Sequence, residues 1–308
     1  MARRSRRRRE RRRSVRRRAL WITLALGLGI AVAALALRPR SLPAPPLSPP
    51  RFVPPQAAHA PPGETGATRP ERPGAGAAAE PDGDRPARVA IIIDDLGDSL
   101  ESAHAVLALE PPVTVAVLPF RPASTAVAAA AVERGCEVIL HLPLEPEQSV
   151  EMTGARGFLE TAMSPVRLER QLMADLAAVP YIVGVNGHMG SRFTADGAAM
   201  EELLGALRVR GLYFLDSRSS SASVAATTAS RVGVPFAART LFLDHDPARA
   251  AIAGELTRLV EVARRAGEAI AIGHPHRETI AALGPWLVAA RQRGIAIVPA
   301  SALARQPG

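Results

Sequence analysis

Six side chains able to bind a metal ion or carry a proton stand at, or just after, the ends of short apolar runs in this sequence. Asp94 and Asp95 close "VAIIIDD", His141 closes "EVILH", Asp216 closes "LYFLD" and His274 closes "AIAIGH". His188 follows "YIVGV" in the glycine-rich stretch "NGHMGSRFT". A carboxylate with two histidines is a common set for a divalent cation, and zinc is the first choice among ions that favour imidazole. A second carboxylate beside that ion is free to act as a general base, and a histidine across the pocket can act as the acid. A cation would also explain the adjacent aspartates, because it removes their mutual repulsion and lowers both pKa values. Each residue has a plainer reading as well. The aspartate pair could cap the following helix, His141 could be a hydrogen-bonded core histidine, and Asp216 could open a turn. His274-Pro275-His276 could be a rigid turn with His276 on the surface. His59, His104 and His245 have no comparable context.

The elements that must hold these residues alternate regularly from Arg88 onward. The β-rich runs are "VAIII", "VTVAVL", "EVILHL", "YIVGV", "LYFLD", "TLFLD", "AIAIGH" and "IAIVP". Helical segments such as "SLESAHAVLAL", "SPVRLERQLMADLAAV", "AAMEELLGALRVR" and "ELTRLVEVARRA" lie between them. Ser164-Pro165 reads as an N-cap followed by proline at the first helical position, and Gly267 and Gly294 read as helix stops. Strands alternating with helices predict a mainly parallel sheet in one α/β domain, an irregular barrel of seven or eight β/α units. A doubly wound open sheet is the alternative. In either fold the C-terminal ends of the strands form the catalytic face, where the six residues fall. Residues 145–161 make a long polar loop after the third run that could form a lid or substrate wall.

The net charge of +9 is concentrated at one end. Residues 1–18, "MARRSRRRRERRRSVRRR", carry twelve arginines and one glutamate, so the remaining chain is close to neutral. That distribution does not suit a nucleic-acid-binding domain. Residues 19–37 form an uncharged stretch long enough to cross a ~30 Å hydrocarbon core. With arginines in front, it predicts an inner-membrane signal-anchor with the later residues in the periplasm, or a signal peptide cleaved near Ala34-Leu35-Ala36. Residues 38–87, rich in proline and alanine, read as an extended linker. Cys136 is the single cysteine, so no intramolecular disulfide can form. The sequence has no dinucleotide fingerprint, P-loop or nucleophile elbow. Two neighbouring aspartates are also poorly placed to flank a glycosidic bond at the required ~5–9.5 Å.

Taken in order, "IIIDDLG", "EVILHLPLEP", "NGHMGSRFT", "FLDSRSS" and "IGHPHRET" resemble the divergent polysaccharide deacetylases, over residues 88–304. The resemblance implies an irregular (β/α) barrel, often seven-stranded, that hydrolyses N-acetyl groups on envelope glycans with a divalent metal, zinc first. It implies Asp94 as base, Asp95 and His141 as metal ligands and His274 as acid. The main deacetylases carry a second histidine four residues after the first. Here Glu145 stands at that position, so His188 or Glu145 completes the ligand set. "GHMGSR" replaces an arginine-proline motif, and Ser191, Arg192 and Asp216 fall where substrate or supporting contacts are expected. The alternative is a glycan-binding or envelope-organising protein that keeps the barrel and lacks turnover.

Overall fold

The computed structural model describes residues 86–110, 112–148 and 157–306. The basic tail, the apolar segment 19–37 and nearly all of the linker lie outside the described residues, as does the middle of the 145–161 loop. Among the described residues nine strands follow in chain order: β1 (Arg88–Leu96), β2 (Thr114–Val117), β3 (Glu137–Leu144), β4 (Gly184–Met189), β5 (Tyr213–Asp216), β6 (Phe236–Ala238), β7 (Leu241–Phe242), β8 (Glu268–Gly273) and β9 (Ala296–Ile297). Seven α-helices are interleaved: α1 (Leu100–Leu107), α2 (Ser124–Glu133), α3 (Pro165–Ala178), α4 (Gly197–Val209), α5 (Ala225–Val232), α6 (Arg249–Ala266) and α7 (Arg277–Gln292). Among the described residues no helix is long and apolar enough to cross a membrane.

Among the described residues every pairing between two of these strands is parallel, and an isolated antiparallel bridge joins Phe236 of β6 to Arg305. The order is β6-β5-β4-β3-β2-β1-β8-β7, with β9 joined to β1. β6 and β7 therefore sit at opposite ends of the hydrogen-bonded path, although two residues connect them. A connection that short forces the sheet to curl until its edges meet. The backbone changes partner between consecutive residues: Arg239 N donates to Asp216 O of β5 at 2.9 Å, and Thr240 N to Ile270 O of β8 at 2.8 Å. One broken segment thus serves both edges, and the result is an irregular barrel with a seam. The expected α/β barrel is present, and the open doubly wound sheet is not.

Strand alternation sorts the apolar residues into two cores. Val89, Ile91 and Ile93 of β1, Val138, Leu140 and Leu142 of β3, and Ala269 and Ala271 of β8 pack towards the helices. Ala90, Ile92, Ile139, Tyr213, Leu215, Ile270 and Ile272 fill the barrel interior. Glu137 helps close the N-terminal end: its Oε1 accepts from Tyr213 Oη at 2.9 Å and from Ser301 N at 3.1 Å. Conserving the alternation along each strand decides which side chains emerge at the opposite end.

Two elements differ from the sequence expectation. The run "YIVGV" predicts the fourth strand, but β4 begins at Gly184 and continues through His188 to Met189. Pro180 supplies no N–H, and Tyr181 has φ 67, so the ladder starts late. His188 consequently lies within the strand rather than after it. β6, "FAA", was not anticipated, since three residues with two alanines carry little strand signal. The helix stop at Gly267 is as expected, with φ 80 in the left-handed region. Ser164 does precede α3 with Pro165 at its start, but its side chain makes no capping hydrogen bond.

Candidate active site

The interior face continues past the apolar layers into polar residues. On β1 the series Ala90, Ile92 leads to Asp94, and on β3 Ile139 leads to His141. On β8 the series Ile270, Ile272 leads to His274, and on β4 Val185 faces the helices, which leaves Asn186 and His188 inward. Asp95 breaks this rule, because regular alternation would turn it away from Asp94. A bulge resolves the conflict: Ile93 pairs with Val115 but Leu96 with Val117, so β1 holds one extra residue there. Asp95 takes φ 59, a left-handed conformation that aspartate tolerates better than most residues. Both carboxylates therefore reach the same end of the barrel.

Asp95 Oδ1 lies 3.1 Å from His141 Nε2 and 2.9 Å from His188 Nδ1, and these two nitrogens are 3.1 Å apart. The three donor atoms form a nearly equilateral triangle. Metal–ligand distances of about 2.0–2.2 Å suit donors spaced roughly this far apart. Asp95 Oδ1 is also buried without a well-directed hydrogen bond. A buried acceptor left in that state, facing two imidazole nitrogens, has the character of a cation ligand. Burial alone would push the Asp95 carboxyl upward, but contact with His141 and His188 outweighs it and holds the group well below the ordinary carboxylate range.

Asn186, fully buried, sets the orientation of this cluster. Its Nδ2 donates to Asp94 Oδ1 at 2.8 Å, and its Oδ1 lies 2.9 Å from His141 Nδ1. Since the carboxylate can only accept, the amide oxygen must face His141, and His141 Nδ1 must be the donor. The Nε2 lone pair of a neutral His141 is thereby directed towards Asp95 and His188. With no ion bound, burial opposes the charge on His141, but Asp94 and Asp95 overcome it and raise its pKa to about 9. Asp94 is itself buried, which raises its pKa although His141 and Asn186 partly counteract this. Its Oδ2 stands 3.8 Å from His141 Nε2.

His274 faces the cluster from β8, its Nε2 4.0 Å from Asp95 Oδ2. Its Nδ1 donates to Asp244 Oδ1 at 2.9 Å, and Asp244 Oδ2 accepts from His274 N at 2.7 Å and Thr279 Oγ1 at 2.8 Å. The hydrogen bond to Asp244 raises the His274 pKa, against the effect of burial. Phe242 stacks on the His274 ring with centroids 6.1 Å apart, and the Arg239 guanidinium lies 3.7 Å over Phe242.

The remaining residues singled out in the sequence go elsewhere. The Glu145 carboxylate accepts from Thr161 N and Oγ1, both at 2.7 Å, and lies 3.5 Å from Arg192 Nε. It braces the two described ends of the 145–161 loop and does not join the three-donor triangle. Ser191 Oγ accepts from Glu147 N. Asp216 shares its strand face with Phe214, on the helix side, and accepts from Arg218 N and Ser223 Oγ. It organises the turn after β5. The glycines flanking His188 meet protein: a Cβ at Gly184 would lie 2.4 Å from the Tyr213 ring, and one at Gly190 2.9 Å from Leu144 Cβ.

Asn186, Asp244 and Thr279 were not anticipated. Asn186 carried a usable signal, since it precedes His188 by two residues and shares its face. Asp244 ends "TLFLD" as Asp216 ends "LYFLD", and nothing in the two runs shows that Phe242 would face the interior and Phe214 the helices.

The model of the family described as divergent polysaccharide deacetylase matches residues 91–304. The uncharacterized protein YibQ of Escherichia coli (strain K12) is 37% identical over 222 residues, covering 71% of this chain and 68% of its own. An uncharacterized protein of Haemophilus influenzae is 35% identical over 196 residues, 64% of this chain and 69% of its own. Among solved structures, an uncharacterized protein of Agrobacterium tumefaciens C58 superposes with a TM-score of 0.69 at 31% identity, covering 72% of this chain and 91% of that one.

Proposed function

The chain belongs to the divergent polysaccharide deacetylase family, and from that premise we propose that it hydrolyses N-acetyl groups on an envelope glycan, using a divalent metal held by Asp95, His141 and His188. The observation that carries this reading is the triangle of donor atoms around the otherwise unsatisfied Asp95 Oδ1. Zinc is the first choice for a carboxylate with two imidazoles. When bound, such an ion polarises the acetamide carbonyl and acidifies a water molecule.

The protein's own groups divide the proton traffic. Asp94 is fixed through Oδ1 by Asn186, which leaves Oδ2 to accept a proton from water. Burial makes this carboxylate a better base than an exposed one. His274 holds a proton on Nε2, across the cluster, and delivers it to the amine as the carbon–nitrogen bond breaks. Water adds its oxygen to the acetyl carbon, and the products are acetate and a free amino sugar. Asp244 orients the ring and favours its charged form, while Thr279 and the His274 N–H hold Asp244 in place. The stacked Phe242 restricts the imidazole to one plane.

The arginine-rich residues 1–18 followed by the apolar residues 19–37 support a further part of this reading. The domain is carried outside the inner membrane on an N-terminal anchor, where envelope glycans are found. Acetate release from N-acetylglucosamine oligomers and from peptidoglycan by the zinc-loaded protein tests the activity. Release that disappears in Asp94→Asn is expected. Binding of the glycan with no acetate released by the parent protein would favour a glycan-binding role instead.

A further inference from the structure

His276 takes no part in the chemistry above, yet it stands beside His274. Their rings are 5.7 Å apart. His276 N donates to His274 O at 2.7 Å, and Pro275 between them restricts the backbone, so this tight turn brings both imidazoles to one side of the loop. One ligand atom from each of Asp244, His274 and His276 lies within 4.8 Å of the others. That is a second carboxylate–imidazole–imidazole set, matching the first in composition and sharing no residue with it.

We propose that Asp244, His274 and His276 form a second divalent-cation site, weaker than the first, and that filling it arrests hydrolysis by removing His274 from proton donation. The inhibitory half rests on the deacetylase reading; the existence of the site does not. The relative weakness follows from the groups involved. Both Asp244 oxygens already accept hydrogen bonds, from His274 Nδ1, His274 N and Thr279 Oγ1, whereas Asp95 Oδ1 receives none of good geometry. His276 is exposed and must be ordered on binding. Coordination replaces the ring proton that His274 shares with Asp244 and releases it to solvent. With Nδ1 on the ion the imidazolium can no longer form, and the Nε2–H left on the neutral ring is too weak an acid to protonate the departing amine. Asp244 is buried and His274 half-buried, so the ion would bind at the rim of the pocket and not on the open surface.

Equilibrium dialysis of the full-length protein against rising free zinc, with bound metal measured by mass spectrometry, tests the site. The parent protein should take up one equivalent first and a second at free zinc at least tenfold higher. His276→Ala should stop at one equivalent across the same range, while His245→Ala, an exposed histidine outside the set, should still reach two. Acetate release from an N-acetylglucosamine oligomer should fall as the second equivalent binds to the parent. In His276→Ala it should stay at that variant's own low-zinc rate. A second equivalent retained by His276→Ala, lost equally in His245→Ala, or never taken up by the parent would overturn the site. A second equivalent that leaves acetate release unchanged would overturn the inhibition alone. If the parent releases no acetate at all, the deacetylase reading fails, and the zinc stoichiometry still decides whether the site exists.

Discussion

Asn186→Ala tests whether the buried amide organises the whole cluster. The change removes two hydrogen bonds made by a fully buried side chain. The bond to the Asp94 carboxylate is worth about 1.5–3 kcal/mol, and leaving the His141 N–H without an acceptor costs about 1–3 kcal/mol. Together they predict a stability loss of about 2.5–6 kcal/mol in the metal-free protein, measured by urea denaturation with chelator present. His141 also loses the group that fixes its tautomer, so zinc affinity should fall by about 10–100-fold in a competition titration. Asn186→Asp separates the two roles. It keeps an acceptor for His141 and so retains zinc, but sets a new carboxylate against Asp94. The pair should hold a proton to higher pH and move the rising limb of the rate profile upward. A stability loss under about 1 kcal/mol together with zinc affinity within about twofold of the parent would show that Asn186 merely fills space.

The other expectations are more direct. His141 has its pKa raised to about 9 in the metal-free protein. The stability it contributes is therefore present below about pH 6.5 and lost as the pH rises towards 9, visible as a falling urea midpoint with chelator. Zinc affinity should rise over the same window, by about tenfold per pH unit while one proton is displaced. His188→Ala should lose zinc, whereas Glu145→Gln should keep it, because the Glu145 carboxylate is engaged by Thr161; the reverse result would exchange the two assignments. Asp244→Asn should lower kcat with little change in KM and move the falling limb of the pH profile to lower pH, since the hydrogen bond from Asp244 raises the His274 pKa. Asp94→Asn should retain zinc and lose about 10²–10⁴-fold in rate, whereas Asp95→Asn should lose zinc first.

Much of the barrel was legible because its strands are continuous apolar runs closed by polar residues, and its helices carry clear stops. The convergence of Asp94, Asp95, His141, His188 and His274 at one end was legible for the same reason. Side-chain direction was harder to read. Asp216 and Asp244 both follow a Phe-Leu pair, yet one shares a face with the helix-side Phe214 and the other with Phe242, which packs on the interior core. That difference arises from the seam, where the backbone exchanges β5 for β8 between Arg239 and Thr240, and pairing between distant segments leaves no local mark. Glu145 illustrates a related limit. Its spacing from His141 suggested a ligand, but the returning 157–161 segment supplies Thr161 and claims the carboxylate.

The adjacent aspartates show how far a local pattern can carry chemistry. In a regular strand, side chains of neighbouring residues point to opposite faces, so Asp94 and Asp95 could not both serve one site. The extra residue between Ile93 and Leu96 turns Asp95 back towards Asp94, at a conformational cost of about 1–2 kcal/mol for the left-handed backbone. The rotation also gives the two carboxylates different surroundings. Asp94 stays in the interior series, deeply buried and held by a neutral amide, where its negative charge is disfavoured and its basicity raised. Asp95 is carried to the rim, against two imidazoles that stabilise its charge. Two identical side chains are thereby suited to opposite tasks, one to take a proton and the other to remain ionised beside a cation. The bulge, more than the Asp-Asp pair itself, is the structural element that makes such a division of labour possible.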